Sequence, residues 1–125
     1  MNVNDLNQKF LKLHWGTGMP IIAITAAGMS QVRCRGSYSL EVKSMEKLQA
    51  KITDIEQTAS WVSSLIMTKV TDSINEIAPG LSSAQQLTAK TVEISKTVND
   101  AIVVSINDAG LVMTNFTIDA LDIMA

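Results

Sequence analysis

Val32-Arg33-Cys34-Arg35-Gly36-Ser37-Tyr38-Ser39-Leu40-Glu41-Val42 is the stretch that decides how this chain folds. Apolar or small residues stand at every even position and polar ones at every odd position. That is the period of a strand with one buried face and one wetted face. A helix would scatter the same side chains around its circumference. The second half of the chain reads as helix, so this segment moves the fold from all-α to mixed.

On the N-terminal side, residues 1–9 are polar and without period, and are expected to form a flexible leading segment. Residues 10–15 alternate, with Leu11, Leu13 and Trp15 on one side and Lys12 and His14 on the other, as in a first strand. Gly16-Thr17-Gly18-Met19-Pro20 interrupts it. Ile21-Ile22-Ala23-Ile24-Thr25 is a β-branched run that predicts a second strand, and residues 26–30 a turn. The long strand then runs from residue 31 to about 43. Three strands with short connections predict an antiparallel meander.

The period changes after Ser44, a suitable N-cap for a short helix over residues 45–52. A second helix is expected from about residue 58 to 78, with Val62, Ile66, Val70, Ile74 and Ile77 as its apolar stripe and Trp61 and Leu65 flanking. Pro79-Gly80 ends it. Ser82 and Ser83 each have a glutamine three residues on, so either can open a third helix through a capping box. That helix is expected to reach about residue 109, burying Leu87, Thr91, Ile94, Val98, Ile102, Ser105 and Ile106. On its outer face, Glu93 and Lys96 stand at pairing distance. Gly110 suits a left-handed cap, and residues 111–121 return to strand character, parallel or antiparallel. The class is α+β: a mostly antiparallel sheet with helices packed on one side, order β-β-β-α-α-α-β.

At 125 residues the chain has the size of one domain, expected over residues 10–125. The apolar fraction of 46% supports a packed core, and the aromatic fraction of 4% makes that core aliphatic. A net charge of −2 with no basic run leaves no nucleic-acid footprint. Cys34 is the only cysteine and lies on the apolar side of its strand, so a buried, inert thiol and a reducing, cytoplasmic setting are expected. The longest apolar run, residues 19–29, contains Pro20, Thr25 and Gly28 and is far short of the roughly twenty residues a spanning helix needs. No secretory leader pattern opens the chain.

Taken together, several motifs resemble one family. Gly36-Ser37-Tyr38-Ser39-Leu40-Glu41-Val42 resembles the strand that precedes the helices of the SPFH (band 7, prohibitin-homology) domain. Gly110-Leu111-Val112-Met113-Thr114-Asn115-Phe116-Thr117-Ile118 is similar to that domain's closing strand, and the helices divided at Pro79-Gly80 match the interval between them. Trp15-Gly16-Thr17 with Pro20-Ile21 resembles a bacterial soluble subgroup described as virion-core-protein-like. The resemblance implies a membrane-associated scaffold that self-assembles. Its expected partners are further copies of itself, as a dimer or a strand-exchanged assembly, and a membrane surface or membrane-anchored protein. It would sit at the inner face of the cell membrane. The family usually carries an upstream membrane anchor or partner and a long heptad-rich helix downstream. Neither pattern occurs in this sequence, so the chain is expected to be one part of a longer protein.

Candidate sites are few. His14 lacks neighbouring ligands at metal spacing, and no nucleophile or orienting acid is patterned with it. Gly16-Thr17-Gly18 lacks the further glycine, lysine and following helix of a phosphate loop and reads as a turn. No enzyme, cofactor or metal site is therefore expected. Arg33 and Arg35 share the wetted strand face. Their ordinary role is solvation that discourages edge pairing; their functional role would be a basic rim for lipid headgroups or an acidic partner. Trp61 is a core residue by composition and an anchoring aromatic by the alternative reading. Met29 and Met113 are expected to fill core gaps. The competing function is an interaction module that binds one defined partner by strand addition.

Overall fold

The computed structural model describes residues 10–52 and 57–124, so the expectation for residues 1–9 lies outside the described residues. The elements are β1 (Phe10–Gly16), β2 (Ile21–Thr25), β3 (Gly28–Val42), α1 (Met45–Lys51), α2 (Thr58–Ile77), α3 (Thr91–Asp108) and β4 (Leu111–Met124). Short 3-10 helices occupy Ala78–Gly80 and Ala84–Lys90. The order and the α+β class are those the sequence predicts.

The strand pairing is not a meander. β1 and β2 do not pair with each other; both run antiparallel to β3, with Trp15 opposite Gly36 and Ile21 opposite Val32. β4 lines the other edge of β3 from Gln31 opposite Met124 to Val42 opposite Leu111, so β1 and β2 share one edge end to end. The segment between them does not reverse because Thr17 stitches it to β3. Its N–H donates to Cys34 O at 3.0 Å, and Cys34 N–H donates to Thr17 Oγ1 at 3.1 Å. Both backbone groups of Cys34 are thus satisfied across the break. Pro20, which has no N–H to give, falls in the gap where none is needed.

The sequence left the direction of β4 open, and it is antiparallel. Gly110 O accepts from Lys43 N at 2.7 Å and from Ser44 N at 3.0 Å, which pins the start of β4 to the end of β3. Gly110 holds φ 78°, the left-handed conformation expected of it. Two register shifts interrupt the β3–β4 ladder, and Asn115, at φ 55°, lies within the second.

The even face of β3 packs under the helices. Val32, Cys34, Tyr38, Leu40 and Val42 are buried there with Trp15, Ile21 and Ala23. Above them lie Val62, Ile66, Val70 and Ile74 of α2 and Ile94, Val98, Ile102 and Ile106 of α3. Tyr38 ties the layers together: its hydroxyl meets Ala59 O at 3.0 Å and Ser63 Oγ at 2.9 Å. Ser44 caps α1, its hydroxyl accepting from Lys47 N at 3.3 Å.

The third helix departs from expectation. Residues 84–90 are 3-10, and the α-helix begins at Thr91. Ala84 and Leu87 are the buried pair, three residues apart, which is the 3-10 repeat. Thr88 Oγ1 also donates to Gln85 O at 2.7 Å, competing for a carbonyl an α-turn would use. Neither capping box forms: Ser82 N donates instead to Gln86 Oε1 at 2.7 Å, four residues on, and Ser83 makes no side-chain cap. Ser105 is exposed rather than inward, and Glu93 meets Lys90 at 3.7 Å as its salt-bridge partner.

The β2–β3 turn is also tighter than expected. Thr25 lies opposite Gly28, leaving only Ala26 and Ala27 in the loop. Met29 therefore enters the strand on the side away from the helices and is 74% exposed, so it fills no core gap. Met113 is half-buried against the core as expected.

Candidate functional site

The odd face of β3 is the prominent exposed surface among the described residues. β3 sets its outward side chains in rows with those of its neighbours. Ile24 lies opposite Met29, and Ile22 and Met124 flank Gln31. Arg33 lies opposite Asp122, and Arg35 opposite both Ala120 and Gly16. Ile22, Ile24, Met29 and Met124 are exposed large apolar residues, and they gather at the hairpin end of this face. The pattern arises because β2 turns Ala23 and Thr25 inward and its isoleucines outward.

Arg33 and Arg35 are both exposed here, and neither closes an ion pair with a described residue. Trp61 is elsewhere. It sits half-buried on α2, on the opposite side of the sheet, lining a hollow of about 420 Å³ with Lys51, Ile52 and Ser64. The three residues singled out from sequence thus do not form one site. The apolar members of the outer face were missed. A signal was present: Ile22 and Ile24 hold the opposite parity to Ile21, but strand parity alone does not say which side faces a core.

Farther along the sheet, His14, Trp15, Arg35, Gly36 and Asp119 line a hollow of about 440 Å³ that draws on residues of both faces. Trp15 crosses above Gly36, its indole N–H donating to Thr117 O at 3.2 Å and its ring stacking on Phe116 with centroids 5.7 Å apart. On the outer side, Thr117 Oγ1 donates to Asp119 Oδ1 at 2.8 Å, so the contact with Ser37 Oγ at 3.1 Å must take its proton from Ser37. The Ser37 hydroxyl is committed to joining β3 and β4, an arrangement opposite to that of an activated nucleophile. Among the described residues no three His, Cys, Asp or Glu side chains gather as a metal site. Cys34 is buried, and desolvation, with the Asp122 charge adding, pushes its thiol up to about 12. It stays protonated and unreactive at neutral pH.

Among the described residues no helix is long and apolar enough to cross a membrane. Comparison with family models gives a match to the SPFH domain-Band 7 family over residues 3–124. Comparison with curated proteins gives no match.

Proposed function

The chain belongs to the SPFH domain–Band 7 family, and from that premise we propose that it is a non-catalytic scaffold domain that works by surface contact, assembling with copies of itself at the inner face of a membrane. The observation that carries this reading is the outer sheet face: exposed Ile22, Ile24, Met29 and Met124 lie beside Arg33 and Arg35, with no helix over them among the described residues. Such a face suits contact with a broad surface, and its Ser37 and Thr117 hydroxyls are engaged in strand joining. Arg33 and Arg35 are the contact residues of this reading. Solution mass across a concentration series, together with co-sedimentation on neutral and anionic vesicles, tests it. Self-association or vesicle binding is expected. A single-copy mass throughout, with no sedimentation on either vesicle, would overturn it.

The outer edge of β4 favours a second reading. β4 pairs only with β3, leaving one long side of a 14-residue strand open among the described residues. A defined partner could add a strand there. Recovery of one stoichiometric partner, without self-association, would favour this function over the first.

A further inference from the structure

We propose that the open edge of β4 takes up an extended segment of a partner protein that alternates apolar with basic side chains, pairing it along residues 120–124. The inference rests on the strand-addition reading above and names the chemistry of the partner.

The edge is open to a further strand. From Ala120 to Met124 the ladder of β4 on β3 runs without a register shift, and both interruptions lie before it. The other side of this stretch has no strand among the described residues. Sheet edges are ordinarily guarded by lysine, proline or bulges. Residues 111–124 contain no lysine, arginine or proline, and the irregularities end at Ala120. The opposite edge of the sheet is split instead, since the segment holding Pro20 separates β1 from β2. On the helix side, Phe116, Ile118, Leu121 and Ile123 pack against the core yet stay only half-buried. An added strand with apolar residues at every second position lays them beside Leu121 and Ile123 and extends that cover.

Charge chooses the outward side chains of the segment. Asp119 and Asp122 are the charged residues of β4, both are exposed, and neither closes an ion pair with a described residue. A strand added to β4 lies about 4.8 Å from them and about twice as far from Arg33 and Arg35 on β3. The acids are its nearest charged neighbours, and the arginines stand near the screening length of about 8–10 Å. Opposite charges in a cross-strand pair stabilise it, and like charges oppose it. Basic residues on the outward side of the segment thus meet carboxylates, while an acidic segment is repelled. The same rule disfavours a second β4 at this edge, which brings two more carboxylates.

Fluorescence anisotropy of short, capped, dye-labelled peptides titrated with the full chain up to about 1 mM tests the proposal. One peptide alternates valine with lysine, a second alternates valine with glutamate, and a third repeats the first with every backbone nitrogen methylated. The lysine peptide is expected to bind at least about fivefold tighter than the glutamate peptide at low salt, the gap narrowing as salt rises. The methylated peptide has no N–H to give and should not bind. Asp122→Lys should close or reverse the preference, whereas Asp72→Lys, the same change of charge on the exposed side of α2, should leave it in place. Ile123→Lys should weaken binding of the lysine peptide by setting a charge on the inward side of the edge. Thermal melts by circular dichroism confirm that each variant is folded. If the lysine and glutamate peptides bind equally and the methylated one does not, strand addition stands and the basic partner is overturned. A preference that Asp122→Lys leaves unchanged moves the contact away from this edge and overturns the proposal. Binding of the methylated peptide at the affinity of the lysine peptide, or no binding up to about 1 mM, overturns the proposal and the strand-addition reading together.

Discussion

Gly36→Ala probes the junction on which the sheet's geometry turns. A Cβ built on Gly36 collides with Thr117 O and comes within 2.7 Å of Trp15 Nε1 and 2.9 Å of Thr117 C. Backbone lies on one side and a 4%-exposed indole on the other, so neither neighbour yields cheaply. Overpacking of this kind costs about 1–3 kcal/mol. Displacing the indole also forfeits its hydrogen bond to Thr117 O, about 1 kcal/mol, and its stacking on Phe116, about 1 kcal/mol. The smaller unfolded-state entropy of alanine returns about 0.5 kcal/mol. The net loss is about 3 kcal/mol, a large share of the roughly 5–15 kcal/mol that holds a domain together. At this chain length it corresponds to a fall of about 10 °C in Tm. Urea unfolding followed by circular dichroism reads the loss. Fluorescence in a Trp61→Phe background reports Trp15 alone, whose emission should shift red as the ring moves toward water. Gly18→Ala is the control: its Cβ meets nothing within 4 Å and its φ is not positive, so stability should hold or rise slightly. A Gly36→Ala protein with the parent's urea midpoint and unshifted emission would refute the placement of Trp15 over Gly36.

Three further outcomes follow from the same structure. Gly110→Ala forces φ 78° on an L side chain and drives its Cβ into Ser44 O, with Lys47 Cβ at 3.1 Å. A loss of at least about 2 kcal/mol in urea unfolding is expected. Thr17→Val removes the acceptor for Cys34 N–H; leaving that donor unpaired should cost about 1–3 kcal/mol, whereas Thr17→Ser should retain most of the stability. The Cys34 thiol rises from 9.0 to about 12 on folding, and burial also raises the Tyr38 hydroxyl above 10.0, the Ser63 bond opposing. Between those unfolded and folded values the native state holds more protons. Stability is therefore full below about pH 9 and falls as pH climbs toward 12. Urea midpoints measured from pH 7 to pH 11 check this sign, and Cys34→Ala should flatten the decline.

Much of the architecture was legible in residue order because it is local. The alternation from Val32 to Val42 names the buried face of β3, and every even residue in that stretch is buried. The stripe Val62, Ile66, Val70 and Ile74 names the inner side of α2. Ser44 and Gly110 mark ends because capping chemistry acts within one turn. Arg33 and Arg35 could be assigned to a wetted face on the same grounds. Residues 82–90 misled because a serine–glutamine spacing suits an α-helical cap, while the Ala84–Leu87 pair and the Thr88 hydroxyl favour the tighter helix.

Sequence alone thus determined the element types, most of their ends and the α+β class, since periodicity and capping are properties of neighbouring residues. Tertiary structure alone decided that β1 and β2 share one edge of β3, that β4 returns antiparallel, and that Trp61 lies apart from the arginines. It also decided that Ala23 and Thr25 face the core while Ile22 and Ile24 face outward. Hydrophobicity would have chosen the reverse. The two-residue turn at Ala26–Ala27 sets the register of β2 on β3, and a slip of one residue would exchange the two faces.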